Sequence, residues 1–382
     1  MTPPTPINQA AWLTAPGQYP VELKPSPYTT PGAKQIVVQN RAVAVNPMDW
    51  AKQAVGDMKW EWLAHPHILG EDIAGVVVEL GSEVTRFQVG DRVIAHAVGF
   101  YLYGNRAAEG GFQNYTIVRE HMASPIPDSL SFESACVVPM ACSAAACALY
   151  QKGFLALDYP TVPYAAPNGQ YLVVTGASTS VGSNAVQLAH ASGYQVVTTC
   201  STRHFEHAKR LGASHVFDYA SATVETDMAA ALQGKKVAGA FAIGPGSVEL
   251  CLGVLGQLAE SESESGARVR KLVVKASFPW PPPDTKASEY PAYMKWVDTW
   301  NEGIDRKAKE IGGETKFVEG AELGLNEVST KLYVDFLPDA LGGGHYRAAP
   351  EPLVVGKGLE FIQEAMDLQR KGVSAKKVVV LL

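Results

Sequence analysis

The residues best suited to chemistry begin at Tyr171-Leu-Val-Val-Thr-Gly176-Ala-Ser178-Thr179-Ser180-Val181-Gly182, an apolar run followed by a turn of small residues and then by Ser-Asn-Ala-Val-Gln-Leu-Ala. This reads as a buried strand, a tight turn and a helix start. A pyrophosphate group needs such an arrangement, because only small residues let the backbone come close and a helix N-terminus supplies free N–H groups and positive potential. Thr179-Ser180 stands where the usual fingerprint has its middle glycine. At the end of the next apolar run, NAD-specific folds place an acid that holds the ribose hydroxyls. Here the chain reads Val196-Val-Thr-Thr-Cys-Ser201-Thr-Arg203-His204, with no acid. Ser201 and Arg203 are suited to a 2′-phosphate, with His204 and Lys209 adding positive charge nearby, so NADPH is the expected cofactor.

The elements that must position this turn follow from the pattern around it. From Tyr171 the chain alternates apolar strand runs (171–175, 196–199, 216–217, 237–243, 272–276) with helical segments (181–191, 205–211). That alternation implies βαβ units and a parallel sheet. Upstream, 37–45 and 73–93 are rich in Val and Ile and broken by Gly75, Gly81-Ser82 and Gly90-Asp91, which describes short strands joined by tight turns and continued by 113–118. Between them, 96–111 is an aromatic, glycine-rich loop expected to face a ligand. Ala135 to Tyr150 is an alanine-dense helix for which Ser131-Phe-Glu-Ser is the expected cap. Gly358 to Lys371 reads as an amphipathic helix and Lys377 to Leu382 as a terminal strand. Glu260-Ser-Glu-Ser-Glu-Ser-Gly266 reads as a solvated loop. Pro279-Trp-Pro-Pro-Pro283 opens a polar, Trp-bearing stretch, to about Thr315, that looks like an insertion rather than core.

Composition narrows the function. The chain has 382 residues, enough for two domains. A net charge of -6 provides no broad basic surface, so neither nucleic acid nor a membrane is an expected partner. The start, Met1-Thr-Pro-Pro-Thr-Pro, lacks the basic and apolar stretches of a secretory signal, and no apolar run is expected to span a bilayer. The 5 cysteines fall in apolar or strand-like segments, as free buried thiols of a reducing compartment would. A cytoplasmic location is expected.

Leu69-Gly-Glu-Asp-Ile-Ala-Gly75-Val-Val-Val-Glu-Leu-Gly81-Ser-Glu-Val-Thr-Arg-Phe-Gln-Val-Gly90-Asp-Arg-Val resembles the opening lobe of the medium-chain dehydrogenase/reductase superfamily. Asn46-Pro-Met-Asp49, Gly110-Gly-Phe-Gln-Asn-Tyr115, Leu211-Gly-Ala-Ser-His-Val-Phe-Asp-Tyr219 and Lys376-Lys-Val-Val-Val380 follow in the family order. Within it, the chain is most similar to fungal enoyl reductases that serve polyketide synthases in trans, and to quinone-reductase relatives. The resemblance implies an α/β protein, a Rossmann doubly wound parallel sheet joined to a GroES-like β-rich catalytic domain. Residues 1–133 and 325–382 would form the catalytic domain and 134–324 the NADP-binding domain. The stretch from 279 to about 325 falls outside the resemblance and follows the edge strand that pairs subunits in resembling enzymes. A monomer or a homodimer is therefore expected.

The same resemblance assigns the site. Asn46 and Asp49 belong to the catalytic lobe, with Lys52 as a donor or orienting charge one place later than in resembling enzymes. Ser143 lies beside Ala144, where relatives carry the threonine that touches the nicotinamide. Cofactor contacts fall at Pro47, at Gly176, Ser178, Thr179, Ser180, Val181 and Gly182, at Ser201, Arg203 and His204, at Tyr219, at Ile243 and Gly244, and at Phe278. Zinc members use Cys, His and Cys as metal ligands. Asn46 stands at the first of those positions and Glu71 at the histidine, and no cysteine precedes Cys136, so no metal is expected. His65 and His67, with His96, are weighed as a replacement site and set aside, because two histidines flanking a proline are more often loop residues.

Without zinc, the remaining chemistry is hydride delivery to an acceptor that is already electrophilic. An enoyl reductase acting on a small-molecule or carrier-bound acyl substrate is the leading expectation, with a polyketide synthase as partner in trans. An NADPH:quinone reductase and a non-catalytic NADPH-binding protein on the same fold are the alternatives. Phe100-Tyr-Leu-Tyr103 and the stretch from Trp280 to Trp300 are candidates to line an acyl pocket. Thr175-Gly-Ala-Ser178 also resembles the opening of a short-chain dehydrogenase, but the chain has no Tyr followed four residues later by Lys to complete that site.

Overall fold

The computed structural model describes residues 6–260, 268–277, 279 and 281–382. The acidic run after Glu260, Phe278 and Trp280 lie outside the described residues. The chain divides into two compact units. One comprises the chain up to Met140 with Pro283–Tyr290 and Leu332–Leu382, and the other Ala141–Pro282 with Pro291–Lys331.

The second unit holds a 6-stranded sheet in the order Ala213–Asp218, Gln195–Cys200, Gln170–Val174, Lys236–Ala242, Leu272–Lys275, Glu314–Phe317. Every pairing is parallel. Numbered by appearance within the unit, the order is 3-2-1-4-5-6, that of doubly wound dinucleotide folds. Such strands are covered on both faces and so read as unbroken apolar runs, and Leu172, Val173 and Val174 are wholly buried.

Two expectations about this unit change. The stretch from 279 to 315 contains a long helix, Tyr290–Glu310, and the sheet's sixth strand, Glu314–Phe317. Ile304 and Ala308 join the core cluster with Val254, Leu255 and Val273, and Trp300 packs against it. The stretch is polar because three sides of the helix face water, and only one stripe is buried. With Glu314–Phe317 outside it, Leu272–Lys275 is an interior strand rather than the edge.

The other change concerns apolar runs. Phe132–Tyr150 spans 19 residues and is long and apolar enough to cross a membrane by composition, but 78% of it is buried inside the protein. It is two helices, Phe132–Ala135 and Pro139–Tyr150. Ser131 caps the short first one, accepting from Ser134 N–H. Among the described residues all 5 cysteines are free and buried.

The first unit is built from a 7-stranded sheet and a 3-stranded one. Strand Gln35–Ala44 is the axis of the larger sheet. It pairs antiparallel with Asp72–Leu80, Tyr115–Arg119 and the terminal strand Lys376–Leu381. Val379 opposes Ala44 and Val380 opposes Val43, so strand Lys376–Leu381 joins the same sheet as Gln35–Ala44, more than 300 residues earlier in the chain. The amphipathic segment after Gly358 starts as a tight 3-10 turn, Leu359–Phe361, before the helix Ile362–Lys371.

Candidate active site

In the second unit, the turn after strand Gln170–Val174 is fixed by side chains of its own sequence. Thr175 donates to Ile243 O at 3.2 Å and receives the Ile243 N–H at 2.7 Å, tying this turn to the one after strand Lys236–Ala242. Gly176 N–H donates to Thr199 Oγ1 at 3.3 Å, and Ala177 N–H to Thr199 O at 2.9 Å. Thr179 caps the helix Ser180–Ala191, its hydroxyl oxygen accepting from Gly182 N–H at 3.0 Å. Thr179-Ser180 thus replaces the middle glycine with a helix cap. Gly176 has φ +68°, and a Cβ on Gly182 would lie 2.1 Å from Gly176 O. The close approach is built into the turn and admits no side chain. The amides of Ser180 and Val181, in the first turn, have no intrahelical acceptor. Residues and geometry fit a pyrophosphate.

Most of the other residues assigned to the cofactor gather at the same carboxyl edge of the sheet; Pro47 lies in the first unit and Phe278 outside the described residues. Ser201, Arg203 and His204 follow the strand Gln195–Cys200, Tyr219 follows Ala213–Asp218, and Ile243 and Gly244 follow Lys236–Ala242. Ser201 opens a 3-10 turn, its carbonyl accepting from His204 N–H at 2.8 Å. Arg203 is exposed, and Tyr219 is 61% exposed. The supporting cations are weaker than the sequence implies. Lys209 is paired with Glu206 at 2.9 Å, and His204 is held below the ordinary imidazole range, first by burial and then by Arg203. Ser143 lies wholly buried within its helix.

The first unit gathers a different constellation. Asn46 precedes the helix Pro47–Val55, which starts with proline at its first position as helices tolerate. The Asp49 carboxylate accepts from Asn46 N–H at 2.8 Å and from Gly70 N–H at 3.0 Å. Gly70 has φ +95°, and a Cβ there would meet Phe112 at 2.5 Å. Asp49 is fully buried and its carboxyl lies well above the usual range, first because of burial and then because of the charge on Glu71, with the two backbone donors opposing. Its contacts make it a brace between the helix and the Gly70 turn.

Asn46 is held by two groups that the sequence reading did not single out for the site. Its Nδ2 donates to Asp72 Oδ2 at 2.8 Å, and Lys377 Nζ donates to its Oδ1. Lys377 also pairs with Asp72 Oδ2 at 2.8 Å, and Asp72 Oδ1 accepts from Met140 N–H at 2.6 Å. All three side chains are buried. Lysine is donor-only and carboxylate acceptor-only, so the amide orientation of Asn46 is unambiguous.

Lys52 is 1% exposed rather than a surface lysine. Its ammonium sits 2.8 Å from the Phe100 ring centroid and 5.3 and 5.2 Å from those of Trp60 and Tyr101. It also donates to Phe100 O at 3.4 Å. The aromatic loop after His96 therefore houses a cation, which rings do well once water is excluded. Glu71 is fully buried, accepting the Tyr101 hydroxyl on Oε1, with His96 Nε2 3.6 Å from the same oxygen. Among the described residues, no group of 3 or more His, Cys, Asp or Glu is arranged to hold a metal.

The chain matches the family described as alcohol dehydrogenase GroES-like domain over residues 32–128, and zinc-binding dehydrogenase over residues 180–256. It is 45% identical to the dehydrogenase pigH of Monascus ruber over 99% of this chain and 100% of that protein. The chain belongs to the medium-chain dehydrogenase/reductase superfamily. Within that superfamily it is also 36% identical to the trans-enoyl reductase himH of Aspergillus japonicus, over 98% of this chain and 97% of that one. The solved structure of CurK enoyl reductase shares the fold, with a TM-score of 0.67 at 18% identity over 98% of this chain and 99% of that one. The two units are accordingly the GroES-like and nucleotide-binding parts of a superfamily oxidoreductase.

Proposed function

We infer that this superfamily member is an NADPH-dependent, zinc-independent enoyl reductase acting on an α,β-unsaturated acyl compound, free or carrier-bound. The observation that carries the reading is the occupied donor set around Asn46. Where zinc members of the superfamily begin their metal site, this chain has a neutral amide already receiving the Lys377 ammonium, and that ammonium pairs with Asp72. A second cation at that point would be repelled rather than bound, so zinc does not fit these residues. Loss of a Lewis acid favours acceptors that are already polarised, and the relatives named trans-enoyl reductases support that class.

The amides of Ser180 and Val181, with the backbone around Gly176 and Gly182, would hold the pyrophosphate, and Arg203 with Ser201 the 2′-phosphate. NADPH, when bound, supplies the hydride. Ile243, whose position is set by Thr175, and Gly244 would flank the nicotinamide end. Asn46 retains one Nδ2 hydrogen that Asp72 does not take, a donor of the kind an enolate oxygen needs. Lys52 contributes fixed positive charge to the same unit, which favours developing negative charge. The chain works in the cytoplasm on this reading, and a polyketide synthase would be its partner in trans.

The test is turnover of NADPH by the purified chain with an enoyl thioester, followed by mass analysis of the saturated product. Turnover is expected to survive a metal chelator and to be much slower with NADH. Activity abolished by chelation and restored by zinc overturns the reading. A simple quinone serves as the alternative acceptor, and tight NADPH binding with no oxidation by either acceptor identifies a binding protein.

A further inference from the structure

The amino edge of the parallel sheet, opposite the edge that carries the phosphate turn, holds a cleft that the proposed reaction does not use. We propose that this cleft is a second binding site of the nucleotide-binding unit and takes a phosphate monoester that carries a small apolar or aromatic group. Such a site stands whether or not the chain reduces enoyl groups.

The cleft encloses about 660 Å³ and lies wholly within the second unit. It forms where the strands Gln170–Val174 and Lys236–Ala242 begin and where residues 268–270 run parallel to Val237. Val237 N–H donates to Arg268 O at 3.0 Å, and Arg270 N–H donates to Val237 O at 2.9 Å. Alternate residues of extended chain share a face, so Arg268 and Arg270 stand on one side of this segment. Lys236 opens the neighbouring strand, and all three cations line the cleft. Lys236 and Arg268 are exposed and, among the described residues, form no ion pair. Arg270 is anchored, its guanidinium donating to Phe154 O at 2.6 Å and to Leu155 O. Neutral carbonyls hold that side chain in place without cancelling its charge, so little order remains to be imposed when an anion arrives.

The wall beside these cations is apolar. Gly239 has φ +126°, and a Cβ there would lie 2.5 Å from Leu155 Cδ2, so glycine is what lets Leu155 settle on the strand. The register of Lys236–Ala242 against Gln170–Val174 shifts at the same point, between Val237 and Ala240. Leu155, Leu157 and Tyr194 are buried and line the cleft. Asp158 follows Leu157, and its N–H donates to the Tyr194 hydroxyl at 3.5 Å; with three cations against this one acid, the cleft keeps an excess of positive charge.

Two guanidinium groups and an ammonium around one opening repel one another until an anion enters. A phosphate monoester brings nearly two negative charges and three acceptor oxygens, which guanidinium groups match in geometry as well as charge. The apolar wall rewards a ligand whose phosphate carries a hydrocarbon or a ring, and gives nothing to free phosphate. The strand Gln170–Val174 sets the cleft roughly 15 Å from the phosphate turn, so the two sites are separate.

Phenyl phosphate is the probe, titrated by calorimetry into the purified chain with NADPH saturating. One molecule is expected to bind per chain, with inorganic phosphate and phenol each at least about tenfold weaker. Lys236→Ala combined with Arg268→Ala is expected to weaken phenyl phosphate by at least about tenfold and to leave NADPH affinity within about twofold of the wild type. Both side chains are exposed, so the fold is expected to survive, and an unchanged circular dichroism spectrum checks that. Arg203→Ala is expected to leave phenyl phosphate binding as it is. Equal binding of inorganic phosphate overturns the proposal, and so does binding that persists in the double variant. Loss of binding in Arg203→Ala alone also overturns it, by placing the probe at the cofactor turn. Absence of binding at millimolar phenyl phosphate overturns it as well, and is the result if the acidic run before Arg268 already neutralises these cations.

Discussion

On the proposed NADPH reading, Arg203 is the residue on which cofactor choice would turn. Removing a guanidinium from a phosphate forfeits a charge-assisted contact, so Arg203→Ala is expected to weaken NADPH binding by about 10- to 100-fold while NADH binding barely moves. Fluorescence titration of both nucleotides checks this, and equal losses for the two would remove Arg203 from the 2′-phosphate. His67 governs a stability effect. Burial, with help from Lys52 and His65, lowers its pKa to about 4, so the folded chain keeps it neutral where the unfolded chain would protonate it. Its folded value is depressed, so its contribution is complete above the unfolded value of 6.5 and is lost as pH falls toward about 4. The loss is at most about 3 kcal/mol. Melting temperature recorded across that window should fall less steeply in His67→Gln than in the wild type. At this scale the sequence spoke unevenly. Gly176 and Gly182 were legible as a tight strand-to-helix turn, because close backbone approach demands small residues at fixed spacing. Asp72 and Lys377 were not, since they lie far apart in the chain and meet Asn46 only through strand pairing. Lys52 carried the opposite signal to its surroundings, because a lysine is ordinarily a surface residue.

Strands and helices were easier to read wherever burial is complete. The inner parallel strands Gln170–Val174, Lys236–Ala242 and Leu272–Lys275 announce themselves as short apolar runs, whereas the outer, partly exposed strand Glu314–Phe317 does not. The helix Tyr290–Glu310 did not, because a single buried stripe through Val297, Ile304 and Ala308 is outnumbered by its charged residues. That helix is nevertheless part of the core. Ile304→Ala is expected to cost about 2–4 kcal/mol, seen as a drop in melting temperature, whereas an insertion outside the core would tolerate it. The phosphate turn gives the second test at this level. In Gly182→Ala the new methyl carbon would sit 2.1 Å from Gly176 O, so the turn must open and the helix start must shift. NADPH affinity should fall by more than about tenfold, while the far-ultraviolet circular dichroism stays near that of the wild type.

Over the whole molecule, all 5 thiols are buried, and burial pushes Cys200 up to about 11. A thiol reagent should therefore label the native protein slowly and all 5 cysteines once it is denatured; rapid labelling of the native form would contradict the packing. The order of the chain through its units has a consequence for biogenesis. The unit that opens the chain is closed by Lys376–Leu381, its last strand, which carries Lys377 to Asn46. During synthesis the nucleotide-binding unit, complete by Lys331, can fold while the first 140 residues still lack their closing strand. A chain cut short before Lys376 would keep that unit whole, while in the other the buried acid Asp72 would lose its counter-charge. Such a product is a natural target for quality control.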